Sequence, residues 1–168
     1  MIKFVDFKVT FSEVPDEITL CINLSCCPHK CDGCHSPYLQ KDIGEILNKS
    51  ELDNLIKDNS GITCVSFMGG DNDIPSLCYL ANYVKEKYNL KVCWYTGLSW
   101  SPRQIDRPAV KTFDYIKTGP YIKELGPLTS KTTNQRFYIK GIHLNKLDAN
   151  PHMFYDITDR FWNDENRA

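Results

Sequence analysis

Between residues 17 and 119, four short apolar runs alternate with segments of helical period. The runs are EITLCINLS (17–25), ITCVSFMGG (62–70), LKVCWYT (90–96) and TFDYIKTG (112–119). Runs of this length, bounded by Gly or polar residues, read as buried strands. Between them, 42–58 carries an apolar stripe at Ile43, Ile46, Leu47, Leu52, Leu55 and Ile56. Segment 74–88 places Leu77, Leu80, Ala81, Val84 and Tyr88 on one side. This alternation predicts an α/β fold with a mostly parallel sheet and helical crossovers. A complete barrel of such units takes about 250 residues. The chain has 168, so the expectation is a small, incomplete, open (β/α) barrel forming one domain over 1–168.

The flanks are less regular. A strand is expected at 2–11 and a weak helix over 99–110, with Pro102 and Pro108 near its limits. From about residue 120 the reading is a loop at 123–133, strands at 135–141 and 152–158, and a short helix near 159–162.

Net charge is −1, which argues against a general nucleic-acid surface. No run of about 18 apolar residues occurs, so a membrane span is not expected. The start of the chain alternates like a strand and lacks signal-peptide architecture. The expected location is the cytoplasm.

The chain has eight cysteines, and four fall within CCPHKCDGCH at 26–35. The other four, Cys21, Cys64, Cys78 and Cys93, lie singly in or beside apolar runs, as buried thiols do. In a reducing compartment a tight cluster points to metal. Thiolates favour zinc, copper(I) or iron–sulfur clusters. Zinc commonly takes two spaced ligand pairs; no second Cys-x-x-Cys exists here, so a zinc knuckle would take its fourth ligand from Cys26, His29 or His35. The alternative is Cys27-x3-Cys31-x2-Cys34. Three thiolates hold three irons of a [4Fe–4S] cluster, leaving the fourth iron open to a small molecule.

Cys27-x3-Cys31-x2-Cys34 on a loop after a strand, followed later by strand-Gly69-Gly70, resembles the signature of the radical S-adenosylmethionine enzymes. The wider text resembles one branch, the activating proteins of anaerobic ribonucleoside-triphosphate reductase. The matching pieces are VPDEITLCINLSCCPHKCDGCHSP, MGGDND, CWYTG, DYIKTGPYIKELGPL and TTNQRFY, which span 14–138. The resemblance implies a barrel of the radical S-adenosylmethionine type, with a [4Fe–4S] cluster and S-adenosyl-L-methionine as cofactors. It implies an oxidoreductase that makes a 5'-deoxyadenosyl radical to take hydrogen from a glycine of the large reductase subunit. An external electron donor, such as a flavodoxin-like protein, is implied as well. Rival readings are a radical enzyme with another protein or small-molecule substrate, and a non-catalytic zinc or iron–sulfur module.

The resemblance assigns roles residue by residue. Cys27, Cys31 and Cys34 ligate the cluster. Gly69 and Gly70 allow close approach of the cofactor's methionine end. Asp71 stands where the family commonly has Glu followed by Pro, so its side chain or a backbone carbonyl takes the ammonium. Asp73 or Asn72 is otherwise a helix cap there. Thr96 and Gly97 face the ribose and methionine region. Lys117 opposes the cofactor's carboxylate. His35 places or shields adenine. His29 and Lys30 read as exposed side chains that add positive charge near the cluster. Asn134, Gln135 and Arg136 order a loop near the cofactor or the partner. Cys26 stands where the family usually has Gly.

Overall fold

The computed structural model describes residues 1–99, 101 and 108–162. Eight strands form one sheet: β1 (Lys3–Thr10), β2 (Thr19–Leu24), β3 (Glu45–Ile46), β4 (Cys64–Met68), β5 (Lys91–Tyr95), β6 (Tyr115–Thr118), β7 (Arg136–Lys140) and β8 (Phe154–Asp156). Among the described residues, three α-helices accompany them: α1 (Lys49–Asp58), α2 (Ile74–Tyr88) and α3 (Pro108–Thr112). The strand order is β3-β1-β2-β4-β5-β6-β7-β8.

The centre follows the alternation. Strands β2, β4, β5 and β6 are successive parallel neighbours. The flanks do not follow it. Four of the seven strand pairs, β1/β2, β1/β3, β6/β7 and β7/β8, are antiparallel. The sheet is therefore mixed, mostly antiparallel and not closed, which corrects the expected mostly parallel (β/α) barrel. The physical reason lies in the connections. Parallel neighbours need a crossover, usually a helix, whereas antiparallel ones do not. No helix separates β1 from β2, β6 from β7 or, apart from one 3-10 turn, β7 from β8.

A second correction concerns 42–58, where the helix begins only at Lys49. Gly44 has φ +87, and a Cβ there would stand 2.1 Å from the Phe4 carbonyl oxygen. That close approach lets Glu45–Ile46 pair with β1 as a short strand. Asn48 then caps the helix, its Oδ1 accepting from the Glu51 N–H at 3.0 Å. Of the predicted stripe, Leu47, Leu52, Leu55 and Ile56 are buried while Ile46 is exposed. Helix α2 occupies the predicted 74–88, with Asp73 as its cap. Most of the helix expected at 99–110 lies outside the described residues; α3 covers its end.

Pleating sorts the strand side chains onto two faces. Leu20, Ile22, Val65, Phe67, Val92, Trp94 and Ile116 pack with α1 and α2 in the larger core. Cys64, Cys93, Tyr115, Phe137 and Ile139 point to the opposite face, where Leu128, Leu144, Ile157 and Phe161 cover them. The four scattered cysteines, Cys21, Cys64, Cys78 and Cys93, are all free and buried. Burial pushes Cys21's thiol up to about 12, so these are inert packing groups. No helix among the described residues is long and apolar enough to cross a membrane.

Candidate functional site

Three parallel strands, β2, β4 and β5, deliver their carboxyl ends to one pocket, the usual ligand edge of such sheets. Beyond β2, the cysteine loop is stitched down at its entrance. Cys26 N–H donates to the Lys41 carbonyl at 3.1 Å and Cys27 N–H to that of Leu39 at 2.9 Å. Ser25 Oγ donates to the Ile43 carbonyl at 2.7 Å. At its far end, Cys34 N–H reaches the Cys31 carbonyl at 3.3 Å. Gly33, at φ +69, supplies the left-handed residue of that turn. The turn brings Cys31 and Cys34 to the same pocket as Cys27. All three thiols are free and partly buried.

Beyond β4, Gly69 and Gly70 take φ +114 and +94, a region L side chains avoid. Gly69 lines the pocket and Gly70 does not. The Gly69 carbonyl is fixed by the Trp94 indole, whose Nε1–H donates to it at 3.0 Å. Asp71 follows, its side chain only 3% exposed. Its Oδ2 accepts from the Gly97 N–H at 3.0 Å and from His29 Nε2 at 2.7 Å. Its Oδ1 is buried without a partner.

Thr96 directly follows β5, and Lys117 is the last residue but one of β6; both are buried. Thr96 N–H donates to the Lys117 carbonyl at 2.8 Å, and Thr96 Oγ1 accepts from Leu98 N–H at 3.0 Å. Lys117 Nζ donates to the Gly119 carbonyl at 2.7 Å. Burial pulls the Lys117 ammonium down to about 8, while Cys31, Asp71 and Cys27 pull the other way. Burial pushes the Cys27 thiol up, and Asp71, Cys31 and Cys34 add to the rise.

A second pocket of about 510 Å³ borders this one of about 170 Å³. Cys34, Ser36, Tyr95, Lys117, Tyr121 and Gln135 line both. His35 is exposed, lines only the second pocket, and sets its ring 5.0 Å from that of Tyr121.

Cys27, Cys31, Cys34, Gly69, Asp71, Thr96 and Lys117 thus share one pocket, while His35 and Gly70 stand outside it. Three residues were missed or misread in the sequence. His29, read as exposed, is half-buried against Asp71. Trp94, within a run read only as a buried strand, also holds the glycine motif. Tyr121 lines both pockets and gives no signal in the sequence.

The donor set fits an iron–sulfur cluster. Three free thiols face one pocket, in surroundings that resist unaccompanied thiolate charge at Cys27. Irons supply the compensating positive charge. Among the described residues, no three His, Cys, Asp or Glu side chains converge on a single-ion position. Thiolates that each bind their own iron need no such convergence. The pocket also fits a zwitterionic amino acid group, since Asp71, with one unpartnered carboxylate oxygen, and the cationic Lys117 are both among its lining residues.

Such a thiol-lined pocket at strand ends defines the class of an iron–sulfur site. A model of the family described as 4Fe-4S single cluster domain matches residues 18–138. The chain belongs to that family and carries an iron–sulfur cluster domain. No curated protein and no solved structure matches it.

Proposed function

We propose that the chain is a glycyl-radical activating enzyme acting on anaerobic ribonucleoside-triphosphate reductase. The observation that carries this reading is the single pocket shared by three thiols, Asp71 and Lys117. When bound and reduced by an external, flavodoxin-like donor, a [4Fe–4S] cluster supplies the electron that cleaves S-adenosyl-L-methionine to methionine and the 5'-deoxyadenosyl radical that takes the partner's glycine hydrogen. Cys27, Cys31 and Cys34 hold three irons and leave the fourth without a protein ligand.

The remaining residues bind and orient. Asp71 Oδ1 receives the amino acid ammonium, and Lys117 Nζ opposes the carboxylate. Gly69 keeps the backbone bare of a Cβ atom where the ligand approaches, while Gly70 serves packing, since a Cβ there would stand 3.0 Å from the Leu77 side chain. Thr96 lies toward the ribose and His35 toward the base. Lys117 and Thr96, both buried, wall the pocket on the β5–β6 side. The second pocket, joined through Gln135 and Tyr121, admits the partner's glycine-bearing segment.

The test is anaerobic reconstitution with iron and sulfide, followed by reduction with S-adenosylmethionine and the large reductase subunit. A glycyl radical signal in electron paramagnetic resonance is expected. Cofactor cleavage without that signal redirects the reading to another substrate. A mononuclear zinc protein that cleaves nothing overturns it.

A further inference from the structure

Asp71 is gripped on one oxygen only. Oδ2 accepts from the Gly97 backbone at 3.0 Å and from His29 Nε2 at 2.7 Å, while Oδ1 is buried and unpartnered on a residue that lines the pocket. A buried carboxylate oxygen without a donor is costly unless a ligand supplies one. His29 is not there by default of the loop. It sits inside the Cys27–Cys31 gap and crosses to a residue 42 positions away. Its ring lies so close to Gly97 that a Cβ there would stand 2.4 Å from Cδ2. The imidazole, the bare Gly97 and the carboxylate therefore form one packed clasp between the cysteine loop and the ends of β4 and β5.

We propose that His29 is a positioning residue that locks Asp71 with Oδ1 presented to the ammonium group of the bound amino acid ligand. A carboxylate only accepts, so Nε2 carries the proton in this contact. Two fixed donors on Oδ2 remove the carboxylate's rotational freedom, and an oriented acceptor binds a cation better than one that must be ordered on binding. The same contact ties the cysteine loop to the pocket's far wall, so filling Oδ1 and ordering the loop favour each other. The inference rests on the proposed S-adenosylmethionine site and adds a residue to it.

The experiment compares the reconstituted wild type with the His29→Ala, His29→Gln and Asp71→Asn variants. Anaerobic equilibrium dialysis measures binding of S-adenosylmethionine and of 5'-methylthioadenosine, which lacks the amino acid group. Iron content and hydrogen exchange of residues 27–35 are read in parallel. H29A and D71N should weaken S-adenosylmethionine on the order of tenfold, the worth of one charge-assisted hydrogen bond, and leave 5'-methylthioadenosine unchanged. H29Q, which restores a donor, should recover most of that loss. Exchange of 27–35 should quicken in H29A. Equal weakening of both compounds, no weakening of either, or unchanged exchange overturns the proposal. If the wild type binds neither compound, the proposed function and the ligand half of this inference fall together, and the exchange result still decides whether the clasp holds the loop.

Discussion

Gly97 and His29 are in such close contact that a methyl group on Gly97 would lie 2.4 Å from His29 Cδ2 and 2.7 Å from Cγ. No real side chain tolerates that approach. The φ of Gly97 is not in the left-handed region, so the need for glycine is steric alone. Gly97→Ala should therefore fold but push the imidazole off Asp71. Hydrogen exchange of residues 27–35 should rise as it does in H29A. Exchange equal to wild type would show that the ring finds another seat.

Cys26 holds φ +60, a conformation that costs a side-chain-bearing residue about 1–2 kcal/mol. Its thiol donates to Asp42 Oδ1 at 3.4 Å and contacts Ser25 Oγ at 3.8 Å, both weak sulfur contacts. Replacement by Gly should stabilise the protein by about 1 kcal/mol, the gain of relieving that strain. The urea midpoint measures it, and the iron content should not change. This position is where the family resemblance expects glycine, and the backbone agrees with it.

Trp94 couples the core to the glycine motif. Its ring stacks on Phe113 at 5.5 Å and its Nε1–H donates to the Gly69 carbonyl. Trp94→Phe keeps an aromatic ring but removes that donor. A loss of about 1–3 kcal/mol is expected from the stranded carbonyl and the smaller ring. Chemical denaturation reads the loss, and a weaker S-adenosylmethionine affinity should accompany it.

Asp114 anchors the far end of the sheet, away from the pocket. It accepts from Lys85 Nζ at 2.8 Å, His143 Nε2 at 2.9 Å and Val92 N–H at 2.9 Å. Burial pushes its carboxyl up, but His143, Lys85 and Val92 together outweigh burial and hold it below the usual range. A depressed folded value means the unfolded chain binds the proton more readily. The contribution is therefore fully present above the ordinary carboxylate value, about 3.9, and is lost as pH falls through the lower folded value. Asp114→Asn should destabilise by about 3 kcal/mol at neutral pH and flatten the acid limb of the stability profile. An unchanged acid limb would contradict this assignment.

What the sequence could show follows from where each signal resides. The parallel core was legible because β4, α2, β5 and β6 each carry their own period or apolar run. The antiparallel flanks were not, because direction is set by pairing partners. Arg136–Lys140 reads equally well either way until it meets β6. The late start of α1 depends on Gly44 meeting the Phe4 backbone, a contact 40 positions away in the chain that periodicity cannot see. That Cys27, Cys31, Cys34 and Gly69 would gather at one edge of the sheet was legible from local spacing and strand ends, and that Gly70 would turn away from it was not. The clasp was not, since His29, Asp71 and Gly97 meet only through the sheet.

The most direct measurement is 5'-deoxyadenosine yield from the reduced, reconstituted protein given S-adenosylmethionine. The account predicts product from the wild type and from C26A, and none from C27A, C31A or C34A. Product that survives loss of any one of those three cysteines, or a fully loaded wild-type cluster that yields none, would contradict it.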